Sequence, residues 1–188
     1  MATQHAPISI VGDADFTAEN GVTGGSGTSA DPYIIEGWEI GPNEKYISFL
    51  IMNTRAYFTV RDVYIFTADI GISMSNVTHG RVENSRFLST SIGVSMYNSD
   101  SCKVTLSTFE LNQIGVLISY CDATQSKNTF INCADNVKKV EHEVPLITTW
   151  VGAAVCVAAL IPLSLVMGLL IYYRMQGRKM NRGHPPVQ

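Results

Sequence analysis

A short phrase of isoleucine, glycine and a second aliphatic residue returns along this chain at a constant interval. Its copies are Ile70-Gly71-Ile72, Ile92-Gly93-Val94 and Ile114-Gly115-Val116, so the glycines are evenly spaced at positions 71, 93 and 115. A fixed period of this length is the signature of a repeat architecture, in which each unit packs mainly on its neighbours. The chain is therefore predicted to form a solenoid.

The alternation of residues within each unit indicates the kind of solenoid. Ile70, Ile72 and Met74 are predicted to share one face of the chain, and the intervening glycine and serines to share the other. A period of two is typical of a strand that is buried on one face. Equivalent strands of successive units must pair with the same polarity. The predicted fold class is all-β, a short right-handed parallel β-helix of about four to five coils, with the hand taken from the crossover rule.

Three apolar columns are predicted to stack inside the coil. The columns are Val60, Val82 and Val104; Ile65, Phe87, Phe109 and Ile131; and Met52, Met74 and Met96, continued by Ile118. Thioether sulfurs are soft ligands that suit copper. Because the methionines share the face of the aliphatic residues, we interpret them as core residues and expect no metal site and no cofactor.

The residues before the repeat are predicted to close the N-terminal end of the coil. Residues 1–32 form a cap and a loop rich in glycine and serine, and residues 33–140 form the β-helix itself. The segment 6–10 alternates in polarity and could be a strand laid across the open end. Such ends expose unpaired backbone groups and need a cover.

A resemblance adds to this interpretation. The segment GVTGGSGTSADPYIIEGWEI, residues 21–40, resembles the entry motif of archaeal proteins with the NosD-like β-helix. The stretches RVENSRFLSTSIGVSMYNS and KNTFINCADN resemble the short repeats of the same family. The resemblance covers residues 5–137 and implies a right-handed parallel β-helix. It also implies kinship with the periplasmic copper-binding NosD family and with carbohydrate-binding and sugar-hydrolase β-helices, and it leaves the chemistry open.

A long apolar stretch follows the repeat. Residues 144–173 contain no charged side chain. As a helix they would reach about 45 Å, more than the hydrocarbon layer of about 30 Å requires. Trp150 and Tyr172 lie where interfacial aromatic residues are expected. The sequence predicts one transmembrane helix over residues 145–173, with the lipid bilayer as its partner.

The flanking charges predict the orientation of this helix. Arginines and a lysine crowd the short tail, residues 174–188, so the tail is expected in the cytoplasm and the β-helix outside the cell membrane. Residues 1–7 have neither a basic start nor an apolar run, so no signal peptide is apparent. A missing leader, a start assigned too late and insertion directed by the C-terminal helix are the alternatives, of which we favour the missing leader. Asn76 begins a glycosylation sequon, which fits an exported turn.

Two features are compatible with self-association. The last coil is expected to leave an open strand edge beside the membrane, which a second copy can cover. Small residues also lie four apart in the predicted helix, a spacing that lets two helices approach closely. These residues are Gly152, Cys156, Ser164 and Gly168.

Glycan binding or a structural role in the cell envelope, without catalysis, is the function that the outer face predicts. Tyrosines among serine, threonine and asparagine are the surface on which sugars stack, and the candidates are Tyr57, Tyr64, Tyr97 and Tyr120. A polysaccharide lyase or hydrolase is the first alternative, with Asp62 and Glu83 as candidate catalytic carboxylates. A NosD-like metal accessory protein is the second, although the four histidines are scattered along the chain. The net charge of −3 gives no reason to expect nucleic acid.

Overall fold

The structure is a computed structural model of the chain and describes residues 2–42 and 46–141. The predicted membrane helix over residues 145–173, the basic tail over residues 174–188 and the four small residues of the predicted helix pairing lie outside the described residues. Among the residues that are described, no helix is long and apolar enough to cross a membrane.

The described residues form strands joined by tight turns, with two short 3₁₀ helices, Asp13–Asp15 and Ala18–Asn20, near the N-terminus. In chain order the strands are β1 (Thr3–Gln4), β2 (Ile8–Val11), β3 (Val22–Gly24), β4 (Tyr33–Glu36), β5 (Trp38–Ile40), β6 (Ile47–Thr54), β7 (Phe58–Arg61), β8 (Tyr64–Val77), β9 (Gly80–Glu83), β10 (Arg86–Tyr97), β11 (Lys103–Thr105), β12 (Thr108–Glu110), β13 (Ile114–Ser119), β14 (Thr124–Ser126), β15 (Thr129–Ile131) and β16 (Asp135–Val140).

These strands build two sheets that wind around one core. One sheet runs β14-β11-β9-β7-β4-β3, and the other runs β1-β5-β8-β10-β12-β15, with β2 and β6 joined through β8 and with β13 and β16 joined through β10. Every pair is parallel except β3 with β4. The described residues thus form an all-β parallel β-solenoid of about five turns, as the repeat predicted.

The valine column is confirmed and extended by one turn. Val60, Val82 and Val104 pair in register and are fully buried, and Ile35 precedes them in the same column. Burying an aliphatic side chain contributes about 1.5–3 kcal/mol, so repeated columns supply much of the stability of the coil.

The core positions predicted for Ile131 and Met52 are wrong, because the period is not constant at the ends of the coil. Phe109 pairs with Phe130, one position short of the repeat interval, and this leaves Ile131 40% exposed. At the other end Met74 pairs with Ile51, one position beyond the repeat interval, so Ile51 takes the core position that was predicted for Met52. A shift of one residue moves a side chain to the opposite face of a strand.

The predicted alternation around the repeated glycine also needs correction. Gly71 and Ile72 are both buried, whereas Ile70 is only half-buried. A Cβ on Gly71 would collide with the carbonyl oxygen of Gly93 on the next coil. The glycine therefore marks an inward position where successive backbones approach closely, and a period of two does not hold across it.

The N-terminal segment extends the coil rather than crossing its end. The strand predicted over residues 6–10 is present as β2, but it pairs in parallel with β6 and continues that sheet. The two 3₁₀ helices follow it. Between them Phe16 stacks on Tyr33, with ring centroids 4.5 Å apart, and also packs against Phe58. This aromatic contact joins the segment between the two 3₁₀ helices to the core of the coil.

A ladder of buried serines supports the turns between the two sheets. The Ser85 hydroxyl accepts from the Val63 N–H at 3.3 Å and donates to the Glu83 carbonyl at 2.8 Å. The Ser107 hydroxyl accepts from the Ser85 N–H at 3.2 Å one coil further on and donates to the Thr105 carbonyl at 3.0 Å. Each hydroxyl thus satisfies two backbone groups.

Ser107→Ala is expected to lower the free energy of unfolding by about 1–3 kcal/mol, because the buried Ser85 N–H loses its acceptor. Urea denaturation followed by circular dichroism measures the change. Ser9→Ala, at an exposed strand position, is the matched control and should stay within about 0.5 kcal/mol. Equal midpoints for the two variants would contradict a role for the ladder.

Candidate functional site

A row of asparagines forms one corner of the coil. Asn53, Asn76 and Asn98 each follow an aligned core residue by two positions and all have left-handed backbones, with φ between 47° and 55°. Asparagine tolerates this conformation better than most residues, which explains its place at the corner. The Asn76 side-chain amide donates to the Asn53 side-chain oxygen at 2.9 Å. We call these three residues the asparagine ladder.

An aromatic pair lies beside the ladder. Tyr57 precedes β7 and His79 precedes β9, and the register of these strands places the two residues on neighbouring coils. Their rings are parallel within 1° with centroids 4.1 Å apart. The Tyr57 N–H donates to the Gly27 carbonyl at 2.9 Å, which ties the glycine- and serine-rich loop to the same corner. The stacking fixes both rings and leaves only the outer face and the edges of each for other contacts.

Two hollows lie on either side of this aromatic pair and share His79. The larger, of about 420 Å³, is lined by the asparagine ladder together with Thr54, Arg55, Val77, Thr78, His79 and Asp100. The smaller, of about 220 Å³, is lined by Ser29, Pro32, Tyr57, Phe58, Thr59, His79, Arg81 and Glu83. We call the two hollows and the rings between them the corner groove.

The acidic side chains of the corner groove have partners within the coil. The Asp100 carboxylate accepts from the Asp122 N–H at 3.2 Å. Glu83 lies opposite Arg61 in the sheet. Arg61 donates to the Glu36 carboxylate at 2.5 Å, and this hydrogen bond raises the pKa of Arg61. The sheet beside the groove therefore carries alternating charges.

The structure separates the four predicted tyrosines into three places. Tyr57 lines the corner groove. Tyr64 lies beyond the other end of β7, stacked on Phe66 at 5.0 Å between ring centroids. The guanidinium of Arg86 lies 5.4 Å from the centroid of the Tyr64 ring. Tyr97 and Tyr120 contact each other edge to face at 5.7 Å, next to the Asn98 end of the asparagine ladder.

The two candidate carboxylates also differ in their surroundings. Glu83 lines the smaller hollow, whereas Asp62 lies in the turn after β7 and lines neither hollow of the corner groove. The Asp62 carboxylate accepts a hydrogen bond from the Asn84 side-chain amide on the next coil. Each carboxylate thus has a local partner, although both lie at the carboxyl ends of the neighbouring parallel strands β7 and β9.

Several residues of the corner groove were not predicted from the sequence. Arg55 and His79 have no residue of the same kind one repeat away, so no column of like residues indicates them. Arg81 has the basic Lys103 one repeat later, and this signal was present in the sequence. The asparagine ladder, in contrast, was predictable from the sequence. Its members recur at nearly the repeat interval, and asparagine at a repeated turn predicts a left-handed corner.

These features define a parallel β-solenoid with an open groove of aromatic, amide and charged side chains along one corner. Residues 16–154 match the family described as periplasmic copper-binding protein (NosD). The chain belongs to the NosD family. Neither the curated proteins nor the solved structures contain a match to the chain. The family description places its members in the periplasm, which is compatible with a β-helix outside the cytoplasm.

The described residues do not fit the copper that the family description names. Over residues 2–42 and 46–141, no three histidine, cysteine, aspartate or glutamate side chains come together as a metal site. Met74 and Met96 are fully buried in the core. Burial also raises the pKa of the Cys102 thiol to about 11, and metals bind the thiolate. Both described histidines contact aromatic rings.

Proposed function

We propose that this protein is a membrane-anchored β-helix of the cell envelope that binds glycans in the corner groove without cleaving them. The observation that carries the proposal is the stacked pair of Tyr57 and His79 beside the asparagine ladder. Sugar rings have C–H faces that pack on aromatic rings, and aromatic residues supply contact area with specific geometry. Amide side chains both donate and accept hydrogen bonds, which suits sugar hydroxyls.

The shape of the corner groove supports a chain-like ligand. The larger hollow falls within the range of about 300–1,000 Å³ that is usual for small-molecule sites. The two hollows share His79 as a lining residue, so a ligand long enough to occupy both would pass this side chain. An open groove that crosses successive coils admits the interior of a polymer chain as well as its ends.

The membrane anchor rests on the uncharged run of residues 144–173 and on the basic residues after it. With the tail in the cytoplasm, the β-helix and its corner groove face the envelope, where surface glycans are found. The periplasmic description of the family agrees with this side of the membrane.

A structural role through self-association is the second candidate, favoured by the strands of the last coil. Within the described residues β14, β15 and β16 each pair on one side only. Unpaired strand edges are templates for another strand. The two candidates are distinguished by glycan binding, because a structural role alone predicts none.

Tyr57→Ala is expected to weaken glycan binding about tenfold, which corresponds to the loss of about 1.4 kcal/mol of ring contact. The full chain in detergent micelles, tested on a glycan array and then by calorimetry, gives the affinity. Tyr64→Ala is the matched control, since Tyr64 lies outside the groove and should leave the affinity unchanged. An array without any bound glycan, or equal losses in both variants, would contradict glycan binding at the corner groove.

A further inference from the structure

Arg55 and Arg81 differ from the other arginines of the described residues. Arg61 and Arg86 form ion pairs with Glu36 and Glu110, whereas Arg55 and Arg81 form none within the part of the chain that the structure describes. Arg55 lines the larger hollow and Arg81 lines the smaller one. The two unpaired guanidinium groups thus lie in the corner groove.

Their positions are symmetric about the aromatic pair. Arg55 precedes Tyr57 by two residues, and Arg81 follows His79 by two residues. Because Tyr57 and His79 stack on neighbouring coils, one arginine lies on each side of the rings. The offset of four residues corresponds to at most about 14 Å along the chain direction, a distance that a short oligosaccharide covers.

The nearby acids leave these arginines available for a ligand. The Asp100 carboxylate accepts from the Asp122 N–H, and Glu83 lies opposite Arg61 in the sheet. A guanidinium group presents several N–H donors in a planar fork that matches carboxylate and sulfate oxygens. Two guanidinium groups on either side of a pair of aromatic rings are suited to a ligand in which sugar rings alternate with negative groups.

We propose that the ligand of the corner groove is an anionic polysaccharide. Its carboxylate or sulfate groups pair with Arg55 and Arg81, while a sugar ring between them packs on an outer face or the edges of the stacked Tyr57 and His79 rings. This inference rests on the proposed function and adds the charge of the ligand. Nucleic acid is the other polyanion to consider, but a duplex stacks its bases on one another and so presents no ring face to Tyr57 and His79.

The test compares four probes with the full chain in micelles at physiological salt. They are polygalacturonate for carboxylates, heparin for sulfates, dextran as the neutral polysaccharide and duplex DNA. We expect one of the two anionic polysaccharides to bind at least tenfold more tightly than dextran and DNA. Arg55→Gln and Arg81→Gln should each weaken that binding about tenfold, because each removes a charge-assisted contact.

Arg86→Gln is the matched control, since it removes an arginine that is already paired with Glu110 and lies over Tyr64. Its affinity for the anionic probe should equal that of the unchanged chain, and melting temperatures confirm that all three variants are folded. Tighter binding of dextran, with Tyr57→Ala weakening it, would overturn the anionic ligand and leave glycan binding intact. Binding of no polysaccharide would overturn both proposals. Equal affinity for DNA, or no effect of either groove arginine, would overturn the anionic polysaccharide alone.

Discussion

Gly93→Ala is expected to lower the free energy of unfolding by about 3 kcal/mol, the upper end of the usual cost of overpacking. A Cβ at this position would lie 2.5 Å from the Phe109 ring and 2.6 Å from the Gly115 carbonyl oxygen. The ring belongs to a packed stack and the carbonyl to the backbone of the next coil, so neither can rotate away. The clash must be relieved by separating the coils, which weakens the sheet hydrogen bonds between β10 and β13.

Gly24→Ala is the matched control for this substitution. It lies in β3, also a strand position, and its Cβ would meet no atom within 4 Å. Replacing glycine in a strand by alanine in open space is expected to be neutral or slightly stabilising, since alanine loses less conformational entropy on folding. Urea denaturation followed by circular dichroism of both variants measures the difference. A Gly93 variant as stable as the Gly24 variant would show that the coils have room at this position.

The fold was predictable because a solenoid repeats one interaction many times. The valines at positions 60, 82 and 104 and the glycines at 71, 93 and 115 each report the same strand register, so their shared period predicts parallel pairing. The predicted core positions of Met52 and Ile131 were wrong because the period changes by one residue at each of these places. Between Ile51 and Met74, and again between Phe109 and Phe130, no composition signal marks the insertion or deletion.

The corner groove was less predictable because its parts are not copies of one another. Tyr57 and His79 stack because they occupy the same turn on neighbouring coils, but tyrosine and histidine do not look like a repeated pair in the sequence. Arg55 lies before Tyr57 on one coil and Arg81 lies in β9 on the next, and only the winding of the chain brings both to one corner. To predict a site made of unlike residues, one must know how neighbouring coils align. The period defines that alignment only to within one residue.

The repeated phenylalanines show how much of the stability depends on one column. Phe109 is fully buried and stacks on Phe87 at 4.9 Å and on Phe130 at 5.2 Å between ring centroids. Removing the middle ring leaves a cavity and ends both stacks. Phe109→Ala is therefore expected to lower the free energy of unfolding by about 3–5 kcal/mol, which includes about 0.5–1.5 kcal/mol for each stacked pair.

Leu111→Ala is the matched control for the phenylalanine, because it removes a large side chain two residues away that is 53% exposed. Its effect should stay within about 0.5 kcal/mol. Phe109→Leu retains much of the buried volume without the ring, so a smaller loss than for alanine is expected, and it gives a value if the alanine variant does not fold. Equal stability of the Phe109→Ala and Leu111→Ala variants would contradict the stacked column.

The glycine and phenylalanine substitutions should also be coupled, since the Cβ added at Gly93 would collide with the Phe109 ring. In the double variant Gly93→Ala/Phe109→Leu, the narrower side chain removes one of the two clashes, and the clash with the Gly115 carbonyl oxygen remains. The combined loss is therefore expected to be smaller than the sum of the two single losses by about 1 kcal/mol, within the range for residues in contact. Additive losses would show that the backbone contact alone makes glycine necessary at this position. A combined loss smaller than the sum would show that the phenylalanine column and the glycine column depend on each other. This dependence explains why both recur with the same period.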